Sequence, residues 1–108
     1  MARRELPLTH FTAERVLVPA EKGSAEVIRV TVFGPNFPQR AVAPEMLIGD
    51  VAAERVSIAP DQKSIRGLFR RVPPEGALIR VRYGDSQEGI LREPFVSQSV
   101  RPLPKECR

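Results

Sequence analysis

"VTVFGPNF", residues 30–37, ends a run of β-branched residues in an aromatic, turns at Gly34-Pro35, and delivers a second aromatic three residues past the glycine. Val and Thr suit a pleated strand because branching at Cβ restricts their rotamers there at little cost. Pro35 has no amide hydrogen to donate to a ladder, and Asn36 tolerates the unusual backbone angles of a tight turn. The stretch therefore reads as a strand that stops abruptly at a corner. Phe37, arriving just past the turn, is placed to fold back over the open end of a small β-sandwich and seal it. Gly34, Asn36 and Phe37 are the structural corner of this reading.

Working outward, the strand begins earlier, in "EVIRVTVF". Ile28, Val30 and Val32 alternate with Arg29 and Thr31, the two-residue period of a strand packed on one face and wet on the other. The same rhythm recurs along the chain. A first strand is predicted around Arg15 to Val18, closed by Pro19 and the turn "EKGS". "EMLIGD" gives a short third strand, and "ERVSIAP" a fourth with Val56 and Ile58 inward. "SIRGLFRRV" follows, with Ile65 and Phe69 on one side and Arg66, Leu68 and Arg70 on the other, until "VPPEG" breaks it. "ALIRVRYG" has Ile79, Val81 and Tyr83 facing in, and Arg80 and Arg82 facing out. It pairs through the loop "GDSQEG" with "ILREPFV". "AVAPEML" has room for one helical turn. Turns fall about every ten to fifteen residues with no helical period, the pattern of a sandwich or barrel.

Composition agrees. The chain has 108 residues, 42% hydrophobic and 28% charged, enough for one core of about seven short strands. Eleven prolines argue against long helices. Five Phe, one Tyr and no Trp leave the core to Val, Ile and Leu. One domain over residues 8–101 is expected, with charged, Pro-containing tails at 1–7 and 102–108 that fray. The N-terminus has no apolar signal segment, and no stretch approaches the roughly 18–20 apolar residues of a membrane helix. A soluble, cytoplasmic protein without a membrane partner is the default expectation.

At this point the chain resembles a family. "VTVFGPNF" is similar to the strand and turn of IPT/TIG immunoglobulin-like domains. "MLIGD", "SIRGLF", "VPPEG" and "IRVRYG" follow in the order of that family's later strands and turns, over residues 26–84. "EKGSAE" stands where the family usually carries a doubled glycine, no leading Pro-x-Ile segment is evident, and "PQRAVAPE" is a long insertion. The resemblance implies an all-β fold, an immunoglobulin-like antiparallel β-sandwich of about seven strands. It also implies a domain that binds proteins, contacts DNA, dimerises or acts as a spacer. It brings no catalytic residues.

The side chains themselves point away from catalysis. His10 is the only histidine and lies in the expected N-terminal tail, with no second metal ligand near it. The one cysteine, Cys107, has no partner for an internal disulfide and no base placed beside it. No nucleophile elbow or phosphate-cradling loop is present. No enzyme activity, cofactor or metal is expected.

One surface signal remains. Lys63, Arg66, Arg70, Arg71, Arg80 and Arg82 stand against Glu75 alone, within a chain whose net charge is +4. Arginine's planar fork suits phosphate, so these six are the candidate polyanion-binding residues. Three considerations weigh on the other side. In an immunoglobulin-like Greek key, Arg66 and Arg70 would lie on the opposite sheet from Arg80 and Arg82. Outward arginines also discourage edge-to-edge pairing without any ligand. Interleaved exposed aromatics, the usual platform for bases, are missing. The sequence reading is thus a non-catalytic interaction or structural module with a protein partner, reached through loops 34–45 and 84–89 or a strand edge. The alternative is nucleic-acid or other polyanion binding through residues 63–82. A homo-oligomer is a third reading.

Overall fold

The computed structural model describes residues 4–5, 7–37, 44–83, 87–96 and 100–101. These form ten strands and no helix: β1 (Arg4–Glu5), β2 (His10–Ala20), β3 (Gly23–Phe33), β4 (Glu45–Ile48), β5 (Val51–Ala52), β6 (Arg55–Ile58), β7 (Ser64–Phe69), β8 (Ile79–Tyr83), β9 (Gln87–Leu91) and β10 (Val100–Arg101). Three of them are two-residue pairings at sheet margins, so seven strands carry the architecture.

Two sheets result. One has the order β1-β9-β8-β4-β5 and the other β10-β2-β3-β7-β6. Neighbours pair antiparallel except at two edges, where β1 runs parallel to β9 and β10 parallel to β2. The chain crosses between sheets after β1, β3, β5, β7 and β9, so that strands adjacent in sequence often lie in opposite layers.

Period-two patterning explains the layering. Ile28, Val30 and Val32 of β3 face Met46 and Ile48 of β4 and Ile79, Val81 and Tyr83 of β8 in one buried cluster. Ile65 and Phe69 of β7 join it, with Val56 and Ile58 of β6 packed at its margin. Each such aliphatic side chain contributes about 1.5–3 kcal/mol on burial. A second device narrows the gap between the sheets. Gly67 sits on the inward face of β7 opposite Val30, and a Cβ there would lie 2.7 Å from the Met46 sulfur.

The corner at residues 34–37 is closed by aromatic and backbone contacts together. The amide of Gly34 donates to the Lys63 carbonyl at 3.1 Å, and that of Phe37 to the Gln62 carbonyl at 2.7 Å. Phe37 is 1% exposed, and its ring lies so close over Gly34 that a Cβ there would meet the Phe37 ring at 3.1 Å. Phe95 closes another corner. Its amide donates to the Ala77 carbonyl, its carbonyl accepts from the Gly76 amide, and its ring packs 6.1 Å from that of Phe11.

Several sequence expectations are corrected. The first strand runs from His10 to Ala20, far beyond Arg15–Val18, because β2 and β3 pair along their full length to a turn at Glu21–Lys22. Pro19 does not end it. A proline is tolerated on a strand margin whose amide is not called on by the ladder. His10 belongs to this strand and not to a tail, and Arg4–Glu5, in the segment expected to fray, pair with Gln87–Glu88. The strand read in "ILREPFV" starts earlier, at Gln87, and ends at Leu91 ahead of Pro94. Within "AVAPEML", residues 41–43 lie outside the described residues, and the part from Glu45 onward is strand.

Candidate interaction surface

The hydrogen-bond register places the outward side chains of the four longer strands of the second sheet. On its solvent face, Thr12, Thr31, Arg66 and Ser57 form one row across β2, β3, β7 and β6. Glu14, Arg29, Leu68 and Arg55 form the next. Val16 and Val27 follow, then Val18 and Ala25, on the part of the β2–β3 hairpin that extends past the end of β7. His10 and Phe33 lie at the opposite end, their rings stacked 4.4 Å apart.

Two arginines here are matched by glutamates. Arg29 donates through Nε at 2.9 Å, and through Nη2, to the Glu14 carboxylate across the β2–β3 pair. Arg70, just past β7, donates to Glu54 at 2.5 Å. That hydrogen bond, chiefly, together with the fields of Arg70 and Arg55 and against a smaller cost of desolvation, holds the Glu54 carboxyl below its ordinary value. The same bond raises Arg70. Arg55 and Arg66 are exposed, and neither forms an ion pair with a described carboxylate. Between them and the hairpin lies a shallow trough lined in part by Val16, Val18, Arg29 and Leu68.

The other sheet carries a different face. Arg82 of β8 lies between Glu45 of β4 and Glu88 of β9, with its Nη2 3.2 Å from the Glu45 carboxylate. Arg80 lies between Leu47 and Ile90.

The six sequence-predicted arginine and lysine positions are therefore distributed as follows. Lys63 is in the turn before β7, where its amide donates to the Asp61 carboxylate at 3.0 Å. Arg66 is on the solvent face of β7, with Arg70 and Arg71 exposed just beyond the strand. Arg80 and Arg82 are on the opposite side of the sandwich. The structure brings Arg66 and Arg70 onto one face and separates both from Arg80 and Arg82. Of the predicted binding loops, residues 38–43 and 84–86 lie outside the described residues, and 87–89 belong to β9.

Sequence reading passed over Arg29 and Arg55. Alternation within "EVIRVTVF" and "ERVSIAP" does point both outward. That they flank Leu68 of β7 follows only from the pairing of β3 and β6 on either side of that strand. His10 is occupied by its stack on Phe33 and by Thr9 Oγ1 at 3.0 Å. No group of three His, Cys, Asp or Glu side chains is placed to hold a metal ion among the described residues. Nor is any described helix long and apolar enough to cross a membrane. Compared with known proteins, the chain matches no family model, no curated protein and no solved structure.

Proposed function

We propose that the chain is an immunoglobulin-like domain of IPT/TIG type that works as a non-catalytic module binding a protein partner. For the fold class, the support is strand order. Reading β2, β3, β7 and β6 as strands A, B, E and D, and β9, β8, β4 and β5 as G, F, C and C′, reproduces the two layers of an immunoglobulin sandwich. Fold alone does not carry function.

For the binding role, the carrying observation is the mixed solvent face of the second sheet. Half-buried Val16, Val18 and Leu68 lie there among arginines. Apolar area rimmed by charge is the usual composition of a protein-binding patch. The polyanion alternative draws less support. Its six residues are divided between opposite faces, and Arg70 and Arg82 are already held by glutamates.

The deciding experiment is affinity capture from the cells that make the protein, repeated across a salt series, beside an electrophoretic shift with DNA and RNA. A stoichiometric protein complex that survives high salt is expected. A salt-dependent nucleic-acid shift, weakened by changing Arg80 and Arg82 together, would overturn the reading.

A further inference from the structure

Arg15, Arg29, Arg70 and Arg82 each donate to a glutamate in place. Arg55 and Arg66 do not, although they stand on neighbouring strands of one face. Ser57 pairs with Arg66, and Arg55 with Leu68, so the two arginines are diagonal neighbours across the β6–β7 ladder. Such neighbours are about 7–8 Å apart. Alternate side chains of an extended peptide are about 6.8 Å apart on one face. Two carboxylates at alternate positions therefore match the spacing of the two guanidinium groups, each of which offers a planar fork to a carboxylate. Beside them, Leu68, Val16 and Val18 give the trough an apolar floor.

We propose that this trough docks an extended acidic peptide segment, two carboxylates on Arg55 and Arg66 and an aliphatic side chain against Leu68. The proposal rests on the reading of the chain as a protein-binding module and names the chemistry of its partner. Charge complementarity selects this occupant. A nucleic acid presents phosphates at every step and needs a longer row of free cations, whereas here Glu14 and Glu54 flank two arginines that form no ion pair, and the field of Arg55 already acts on Glu54. The aromatic rings on this face, His10 and Phe33, are stacked on each other. An acidic peptide asks only for the pair and the floor.

The test uses the whole chain and a fluorescein-labelled peptide, Glu-Ser-Glu-Ser-Val-Ser-Leu, whose two carboxylates and two aliphatic groups share one face when extended. Fluorescence anisotropy should rise to saturation, and amide resonances of Ser57 and Leu68 should shift on titration. Changing Arg55 and Arg66 together to Ala should weaken binding by about tenfold or more, the loss expected for charge-assisted hydrogen bonds, with the melting temperature unchanged. Arg80→Ala, on the far face, should bind as the unaltered chain does. The proposal is overturned by any of three results: no saturable rise, equal binding of the same peptide with Gln for Glu, or an affinity that ignores Arg55 and Arg66. Tighter binding of oligothymidine or of phosphatidylserine vesicles through these two arginines would also overturn it. Should the peptide fail while a salt-resistant complex with a native protein persists, the peptide chemistry falls and the module reading stands. Should no such complex form either, both fall.

Discussion

Met46 of one sheet occupies the space that a side chain on Gly67 of the other would need. A Cβ at Gly67 would lie 2.7 Å from the Met46 sulfur and 3.0 Å from the Ala53 Cβ. The first neighbour is flexible and the second is not, so only part of the overlap can relax. Gly67→Ala should destabilise the fold by about 1–3 kcal/mol, the ordinary cost of overpacking. Urea denaturation of Gly67→Ala, Met46→Ala and the double variant checks it. Shortening Met46 should recover part of the loss, giving a coupling that separates contact from a general intolerance of Gly67. Additive losses would refute the contact.

Phe37 makes a related prediction at the corner. Its ring is buried, and its backbone is tied to Gln62. Phe37→Ala should cost about 3–5 kcal/mol, as large aromatic truncations in cores do. Gly34→Ala should also destabilise, because the new methyl would meet the Phe37 ring and the Pro7 carbonyl, both at 3.1 Å. Thermal melts of the two variants measure this. A Phe37→Ala chain that melts like the unaltered one would show that the aromatic does not seal the sandwich.

Acid should weaken the Glu54–Arg70 contact in a defined direction. The folded-state pKa of Glu54 lies below its ordinary value of 4.5, chiefly because Arg70 hydrogen-bonds to the carboxylate. A depressed carboxyl contributes stability that is present above the unfolded value and is lost as pH falls through the folded one. The gap in melting temperature between the unaltered chain and Glu54→Gln should therefore be present at neutral pH and close as the pH drops well below 4.5. Both groups are exposed, so the gap should be small and shrink further in salt.

The Arg29–Glu14 pair bridges β2 and β3 on the solvent face with both side chains partly exposed. Cross-strand ion pairs of this kind contribute within about 1 kcal/mol. Glu14→Gln should thus lower stability only slightly in urea. It should also leave Arg29 free and strengthen binding of the acidic peptide in anisotropy measurements. Unchanged or weaker peptide binding would argue against Arg29 as a wall of that trough.

Local pattern made much of this protein legible. Ile28, Val30 and Val32, and again Ile79, Val81 and Tyr83, could be assigned inward because successive side chains of a strand point to opposite faces, and each is buried. The same rule turned Arg66 and Leu68 outward. It was not carried to the full length of β2, although Phe11 and Ala13, both buried, alternate with Thr12 and Glu14. What extends that strand to His10 is its ladder with β3.

The sequence by itself determined the all-β class, the inward and outward face of most strands and the glycine-aromatic corner, because those depend on residues a few positions apart. Only the tertiary structure decided which outward faces meet. Pairing β3 and β6 on either side of β7 put Arg29 and Arg55 beside Leu68, while placing β8 in the opposite layer took Arg80 and Arg82 away from Arg66. Strand neighbours are chosen by hydrogen bonding and core packing between distant segments, and no local spacing encodes that choice.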